Sequence, residues 1–325
     1  MFKQSFKYYK SKNPPPNLDN VLDLNKSNDL TEFQIKKVSI KCEERKKMFG
    51  FKHPKTWEVY EIVDTPGSLL FIRNPFTSIG QRYWTVKCLQ DYSKKPNKTN
   101  IDAFNLVPEN KEWWEMCQNN NNVLLMNKLR WVTLGYHHNW DTKVYSEEDK
   151  GKFPKDLSDM TLYVASILGY TNFSPEAAIV NYYHMDSTLS GHTDHSEKDL
   201  EAPLFSFSFG QTAIFLLGGN TKDDKPTPIF IRSGDMVVMS KESRLAYHGV
   251  PKILQIDSRY WDPIDENDLC YIGKDYREVV NICKDDALWK PFGDYLTYSR
   301  ININVRQVLS RGQKRLNSED AEDVT

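Results

Sequence analysis

Histidines are scarce in this sequence, seven in 325 residues, so their neighbours are informative. The segment Gly191-His192-Thr193-Asp194 sets an imidazole and a carboxylate two residues apart. On a β-strand alternate side chains share a face, so both groups would point the same way. A third group must come from elsewhere, and His248, in Ala246-Tyr247-His248-Gly249, is the natural candidate. Two imidazoles and one carboxylate on one side of a metal leave positions open for substrate and oxygen, a set that suits Fe(II). The same spacing also arises by chance on surface strands.

A second pattern lies far downstream. Arg300-Ile301-Asn302-Ile303-Asn304-Val305-Arg306 alternates with period two. Ile301, Ile303 and Val305 take one face; Arg300, Asn302, Asn304 and Arg306 take the other. If the apolar row packs in a core, the polar row faces solvent or lines a polar cavity. Arginines six residues apart on one strand face have Cα atoms roughly 20 Å apart. Leaning inward, they bracket a small dicarboxylate, one planar guanidinium fork at each end. The alternative is a solvated edge strand.

These residues need a scaffold, and the chain has material for one. Apolar residues make up 39% and aromatics 13%, with 43 basic against 44 acidic side chains. That aromatic content and near-neutrality argue against a disordered chain, and the net charge excludes a uniformly basic nucleic-acid coat while leaving local basic patches open. No apolar run approaches the roughly 20 residues of a membrane helix, so we expect no membrane association. Cys42, Cys88, Cys117, Cys270 and Cys283 are odd in number and widely spaced, which favours reduced thiols over a disulfide framework. Helical spacing marks Ile79 to Tyr92 and Leu157 to Leu168. Strand character follows: Ala178–Tyr183, the alternating Leu204–Phe209, then Ala213–Leu217 and Met236–Met239, separated by Gly-rich turns. Helices followed by many short strands predict an α+β fold with a β-sandwich or jelly-roll core. Residues 1–60 hold 13 basic against 7 acidic side chains. The first 18 carry Lys3, Lys7, Lys10 and Lys12 and no acid, which reads as a flexible basic tail or a targeting segment. Glu319, Asp320, Glu322 and Asp323 mark an acidic C-terminal tail.

Taken in order, His192-x-Asp194, His248 and Arg300-x-Asn302-x-Asn304-x-Arg306 resemble the AlkB branch of Fe(II)/2-oxoglutarate dioxygenases. Asn181-Tyr182-Tyr183 matches the family's Asn-x-Tyr before the first ligand. The stretches Leu129–Tyr136, Asp186–Leu189, Ser206–Gln211 and Val305–Leu309 are similar to the AlkB homologue-one subfamily in particular. The likeness runs from about residue 66 to 310. Asn304 departs from it, since the family more often has Thr there.

The resemblance implies a double-stranded β-helix core with N-terminal helices and a nucleotide-recognition lid. It implies Fe(II) at His192, Asp194 and His248, and 2-oxoglutarate at Asn181, Tyr183, Arg300, Asn302 and Arg306, with O2 as co-reactant. Trp131 and Tyr136 match the family's substrate-stacking aromatics; ordinary core packing is the competing reading for Trp131. The division expected is a basic extension over 1–65, a dioxygenase domain over 66–310 and a polar acidic tail over 311–325. The implied activity is oxidation of methylated bases in nucleic acid. tRNA is foremost, through 1-methyladenosine demethylation and 5-methylcytosine oxidation, with N6-methyladenine in DNA as a further substrate. Such work belongs in the nucleus, cytoplasm or mitochondrion, with no obligate protein partner. A histone or other protein demethylase or hydroxylase is an alternative, as is a non-catalytic RNA-binding β-helix; an intact triad with both arginines argues against the latter. His137, His138, His184 and His195 carry no assigned role.

Overall fold

The computed structural model describes residues 1–26, 35–40, 47–63, 69–119, 122–265, 268 and 276–316. The acidic tail beyond 316, Cys42 and Cys270 lie outside these residues. The strands are β1 (Ile35–Val38), β2 (Glu58–Ile62), β3 (Leu69–Arg73), β4 (Lys98–Thr99), β5 (Trp131–Gly135), β6 (Ala177–His184), β7 (Leu189–His192), β8 (Leu204–Gly210), β9 (Thr212–Leu217), β10 (Thr227–Ile231), β11 (Met236–Met239), β12 (His248–Leu254) and β13 (Ser299–Arg306). The principal helices are α1 (Phe2–Lys10), α2 (Ser78–Val86), α3 (Trp113–Asn119), α4 (Val123–Met126), α5 (Lys155–Ile167), α6 (Arg277–Lys284) and α7 (Asp286–Thr297).

Two antiparallel sheets result. The larger runs β1-β2-β3-β11-β8-β13-β6-β5-β4 and the smaller β10-β9-β12-β7. The chain from β6 to β13 passes back and forth between them, with β6, β8, β11 and β13 in one and β7, β9, β10 and β12 in the other. That is the jelly-roll winding the strand pattern predicts. Gly210, at φ +87°, turns β8 into β9 in the left-handed region that glycine tolerates.

The alternation of β13 decides its two faces. Ile301, Ile303 and Val305 are fully buried and register against Phe209, Phe207 and Phe205 of β8. All six join one core with Tyr83 and Trp84 of α2, Leu157, Met160 and Val164 of α5, and Phe292 and Leu296 of α7. Each such side chain contributes about 1.5–3 kcal/mol by leaving water. The polar row of β13, with Ser206 and Ser208 of β8, is thereby left facing the space between the sheets. The helix predicted to run to Tyr92 relaxes after Val86 into a wide turn over Lys87–Asp91 that still buries Leu89.

The expectation of a flexible basic tail is corrected. Phe2 and Tyr9 of α1 are buried with Val21, Ile214 and Leu216 on the outside of the small sheet. Lys12 pairs with Asp186 at 2.7 Å, and Lys252 donates to Ser11 O at 2.9 Å. The aromatic residues among the lysines supply the reason, since they give the segment an apolar face to bury. Further on, β1 and β2 extend the large sheet through β3. Cys88, Cys117 and Cys283 are buried free thiols. Among the described residues no helix is long and apolar enough to cross a membrane.

Candidate functional site

The two histidines of the candidate triad meet across a sheet. His192 ends β7, His248 begins β12, and the register sets them opposite each other with ring centroids 4.3 Å apart. Asp194 lies two residues past the end of β7, so strand alternation alone does not aim it. Its backbone carbonyl accepts from Arg244 at 2.7 Å and its Oδ1 from Arg306 at 3.1 Å. Held there, its carboxylate stands 4.0 Å from His192 Nε2 and 3.6 Å from His248 Nε2. One donor atom from each of the three residues falls within 4.8 Å of the others.

The imidazoles are oriented by the backbone. Nδ1 of His192 is 2.9 Å from Ser190 O, and Nδ1 of His248 is 3.0 Å from Ala246 O. A carbonyl only accepts, so Nδ1 donates in each ring and Nε2 is the nitrogen left on the side of the carboxylate. Burial, reinforced by His192, pushes His248 down to about 4, which keeps it a neutral ligand at pH 7. Burial opposes the charge of Asp194, but Arg306, His248 and His192 hold it well below the usual carboxylate range. Two imidazoles and one carboxylate converging on one point fit Fe(II).

The triad opens into a cavity of about 650 Å³ between the sheets. Asn181, Tyr183, Arg300, Asn302 and Arg306 line it as well, so it gathers every residue expected to hold iron or cosubstrate. Arg300 is 2% exposed and, among the described residues, donates to neutral oxygens: Gln211 O and Ile231 O at 3.0 Å, and Ser208 Oγ at 2.6 Å. Burial lowers its pKa to about 10, leaving a cation with no carboxylate hydrogen-bonded to it. Arg306, 5% exposed, lies against Asp194 and Glu197, yet its Nη1 is buried without a hydrogen-bond partner. A buried cation and an orphaned buried donor facing one cavity fit an anionic ligand. Tyr183, pushed up to about 12 by burial, is a neutral phenol beside them. Asn302 donates to Ser206 Oγ at 2.8 Å and accepts from Asn304 at 2.8 Å, so the sheet fixes it.

The substrate aromatics fare differently. Trp131 does not line the cavity; it packs on Trp140, 5.4 Å between ring centroids, and Trp140 does line it. Tyr136 is 1% exposed and packs with Tyr145, Val308 and Leu309, while its hydroxyl donates to Glu147 and accepts from Lys150 Nζ. The cavity wall is instead built by His138, Trp140, Lys143 and Tyr145 from the loop after β5. His138 meets Ser196 Oγ at 3.1 Å and Trp140 edge-on at 4.8 Å. His195 also lines the cavity, whereas His137 binds Thr133 Oγ1 at 2.8 Å and His184 binds Ser299 Oγ at 3.2 Å.

Glu197 and Arg244 carried no signal in the sequence. Glu197 accepts from Arg244 at 2.6 Å and from Tyr145 Oη at 2.9 Å, and lies 3.3 Å from Arg306 Nε. The pair therefore ties the Asp194 loop, the end of β13 and the wall aromatic Tyr145 into one buried network.

The sequence has relatives among known proteins. The family model described as 2OG-Fe(II) oxygenase superfamily matches residues 71–306. The mouse nucleic acid dioxygenase ALKBH1 is 38% identical, over 96% of this chain and 85% of its own length. The Schizosaccharomyces pombe tRNA demethylase abh1 is 33% identical over 77% and 82%. The Arabidopsis thaliana DNA N(6)-methyladenine demethylase ALKBH1A is 31% identical over 77% of each. A jelly roll with His192, Asp194 and His248 converging at one end, and a match over most of its length, mean that this chain belongs to the 2OG-Fe(II) oxygenase superfamily, in its AlkB homologue-one branch.

Proposed function

We propose that this chain is an Fe(II)- and 2-oxoglutarate-dependent dioxygenase that oxidises methyl groups on nucleic-acid bases, with tRNA as its main substrate. The observation that carries the reading is the convergence, in one cavity, of a metal-competent triad and two buried arginines with capacity for an anion. His192, Asp194 and His248 hold the iron; Arg300, Arg306, Asn181, Tyr183 and Asn302 hold 2-oxoglutarate. Iron bound with 2-oxoglutarate and O2 supplies the oxidation, by which 2-oxoglutarate becomes succinate and CO2 and the methyl carbon gains a hydroxyl. On nitrogen, that hydroxymethyl group departs as formaldehyde; on carbon it stays, because no labile C–N bond exists.

The names of the relatives support nucleic acid as substrate, and so does the wall. Trp140, backed by Trp131, lines the cavity with Lys143, whose Nζ lies over its ring at 5.7 Å, and Lys222, and these two lysines suit flanking phosphates. Tyr136 acts from behind this wall as a support. Residues 66–310 form the dioxygenase unit, and the preceding segment completes its sheets. Methylated tRNA is found in nucleus, cytoplasm and mitochondrion, the compartments open to such an enzyme. The test is succinate and formaldehyde release with tRNA bearing 1-methyladenosine, DNA bearing N6-methyladenine and methylated histone peptide in parallel. Release stimulated by tRNA first supports the reading; release with peptide alone would replace it.

A further inference from the structure

The small sheet carries the histidines on its cavity side, and its reverse side is filled behind them. β7 is only four residues long, stands at the sheet edge and pairs with β12 alone. Beyond it the chain leaves regular structure at once. A short edge strand has few ladder bonds to hold it, yet metal ligands must be placed to within about 0.5 Å. Strand alternation turns Gly191 away from His192, to the outside, where α1 lies across β7 and β12.

Phe2 of α1, 4% exposed, puts its ring at this spot. A Cβ on Gly191 would overlap Phe2 Cε1 and lie 2.9 Å from Cδ1. One on Gly218, which follows β9, would lie 2.9 Å from Phe2 Cδ2. Neither glycine has a positive φ, so backbone conformation does not demand them. Space for the ring does. Gly249, next to His248, is equally confined: its Cβ would lie 2.9 Å from Leu189 O and 3.1 Å from Gly191 N. The Phe2 backbone N–H donates to Lys222 O at 3.0 Å, and its ring stands 6.3 Å from that of Tyr247, the residue before His248. The aromatic ring is therefore seated in a recess lined by Gly191 and Gly218, directly behind His192 and beside the residue before His248.

We propose that Phe2 is a positioning residue for the metal ligands: its ring is the back wall that holds β7 against β12 at His192 and His248. The inference rests on the metal reading of the triad and is independent of the nucleic-acid substrate. It gives α1 a role in iron binding besides any contact of its lysines with phosphate.

Titration of Co(II) into the metal-stripped full chain, without 2-oxoglutarate or nucleic acid, tests it through the visible absorption of the bound ion. Circular dichroism establishes that each variant is folded at the titration temperature. Phe2→Ala should weaken Co(II) binding by roughly tenfold or more, as loss of a group that orients a ligand does. Phe2→Leu, which keeps most of the volume, should cost less than about threefold. Gly191→Ala should weaken binding by overlap with the ring, and adding Phe2→Ala to it should restore part of the loss, because the methyl then has room. A wild-type chain that fails to bind Co(II) overturns the metal reading itself. Wild-type binding, together with unchanged affinity in folded Phe2→Ala or in Gly191→Ala, overturns the role of Phe2 alone. If Phe2→Ala does not fold, Gly191→Ala decides the matter by the same criterion.

Discussion

Arg300 and Arg306 stand on the same face of β13, six positions apart and both buried, in opposite electrostatic company. Burial works against the charge of each. At Arg306, Asp194, Tyr145 and Glu197 more than restore it, and its pKa rises. At Arg300 the hydrogen-bond partners among the described residues are carbonyl and hydroxyl oxygens, and burial lowers its pKa. Arg306 is therefore part of the framework around Asp194, whereas Arg300 is a buried cation hydrogen-bonded, among the described residues, to neutral oxygens. A buried pair is costly to break, and a buried lone charge gains most from a ligand. Substitution should thus damage folding at one end of the strand and cosubstrate binding at the other.

The largest effect is expected at the triad. His192→Ala and Asp194→Ala should both abolish succinate release after metal stripping and reloading with Fe(II). Only Asp194→Ala should also lower the melting temperature appreciably, because Arg306 loses one of its carboxylates. Equal melting temperatures would mean that Arg306 does not depend on Asp194.

Next comes Glu197→Ala, which leaves Arg244 and Arg306 buried with partners missing. We expect a loss of about 3–5 kcal/mol in urea unfolding. Arg300→Ala should be milder in stability but should raise the 2-oxoglutarate concentration needed for half-maximal turnover by about ten- to a hundredfold, the equivalent of about 1.5–3 kcal/mol for a contact between charged groups. Should Glu197→Ala change only the 2-oxoglutarate dependence, or Arg300→Ala only the stability, the contrast between the two ends would collapse.

The smallest effect is expected at Tyr136, in the satellite core beyond the Arg306 end. Tyr136→Phe removes one hydroxyl from between Glu147 and Lys150 and should cost about 0.5–1.5 kcal/mol. Base preference measured on competing methylated tRNAs should not move. A shift in preference would bring Tyr136 back to the substrate.

Particular residues mark how far the sequence could be read. Period-two alternation in β8 and β13 named the core residues Phe205, Phe207, Phe209, Ile301, Ile303 and Val305 correctly, because the pleat alone sorts neighbours onto two faces. The polar face of β13 could be read as solvated edge or as cavity, and packing on both sides by β6 and β8 settled it. In α1 the lysines suggest a solvated segment, but Phe2 and Tyr9, interspersed among them, dock the helix, and which face they meet is fixed only by the small sheet.

What the sequence determined by itself was the residue types of the candidate ligands and the strand-rich character of the core, which follow from local alternation and turn residues; Asp194, past the end of β7, already lies beyond that alternation. Only the tertiary structure decided which groups meet. Register, and no local pattern, set His192 opposite His248. Asp194 is aimed by arginines 50 and 112 residues away, and Glu197 finds Arg244 across 47. Periodicity reports how a side chain faces its own element; pairing of buried charges depends on which elements lie together, and no spacing along the chain records that.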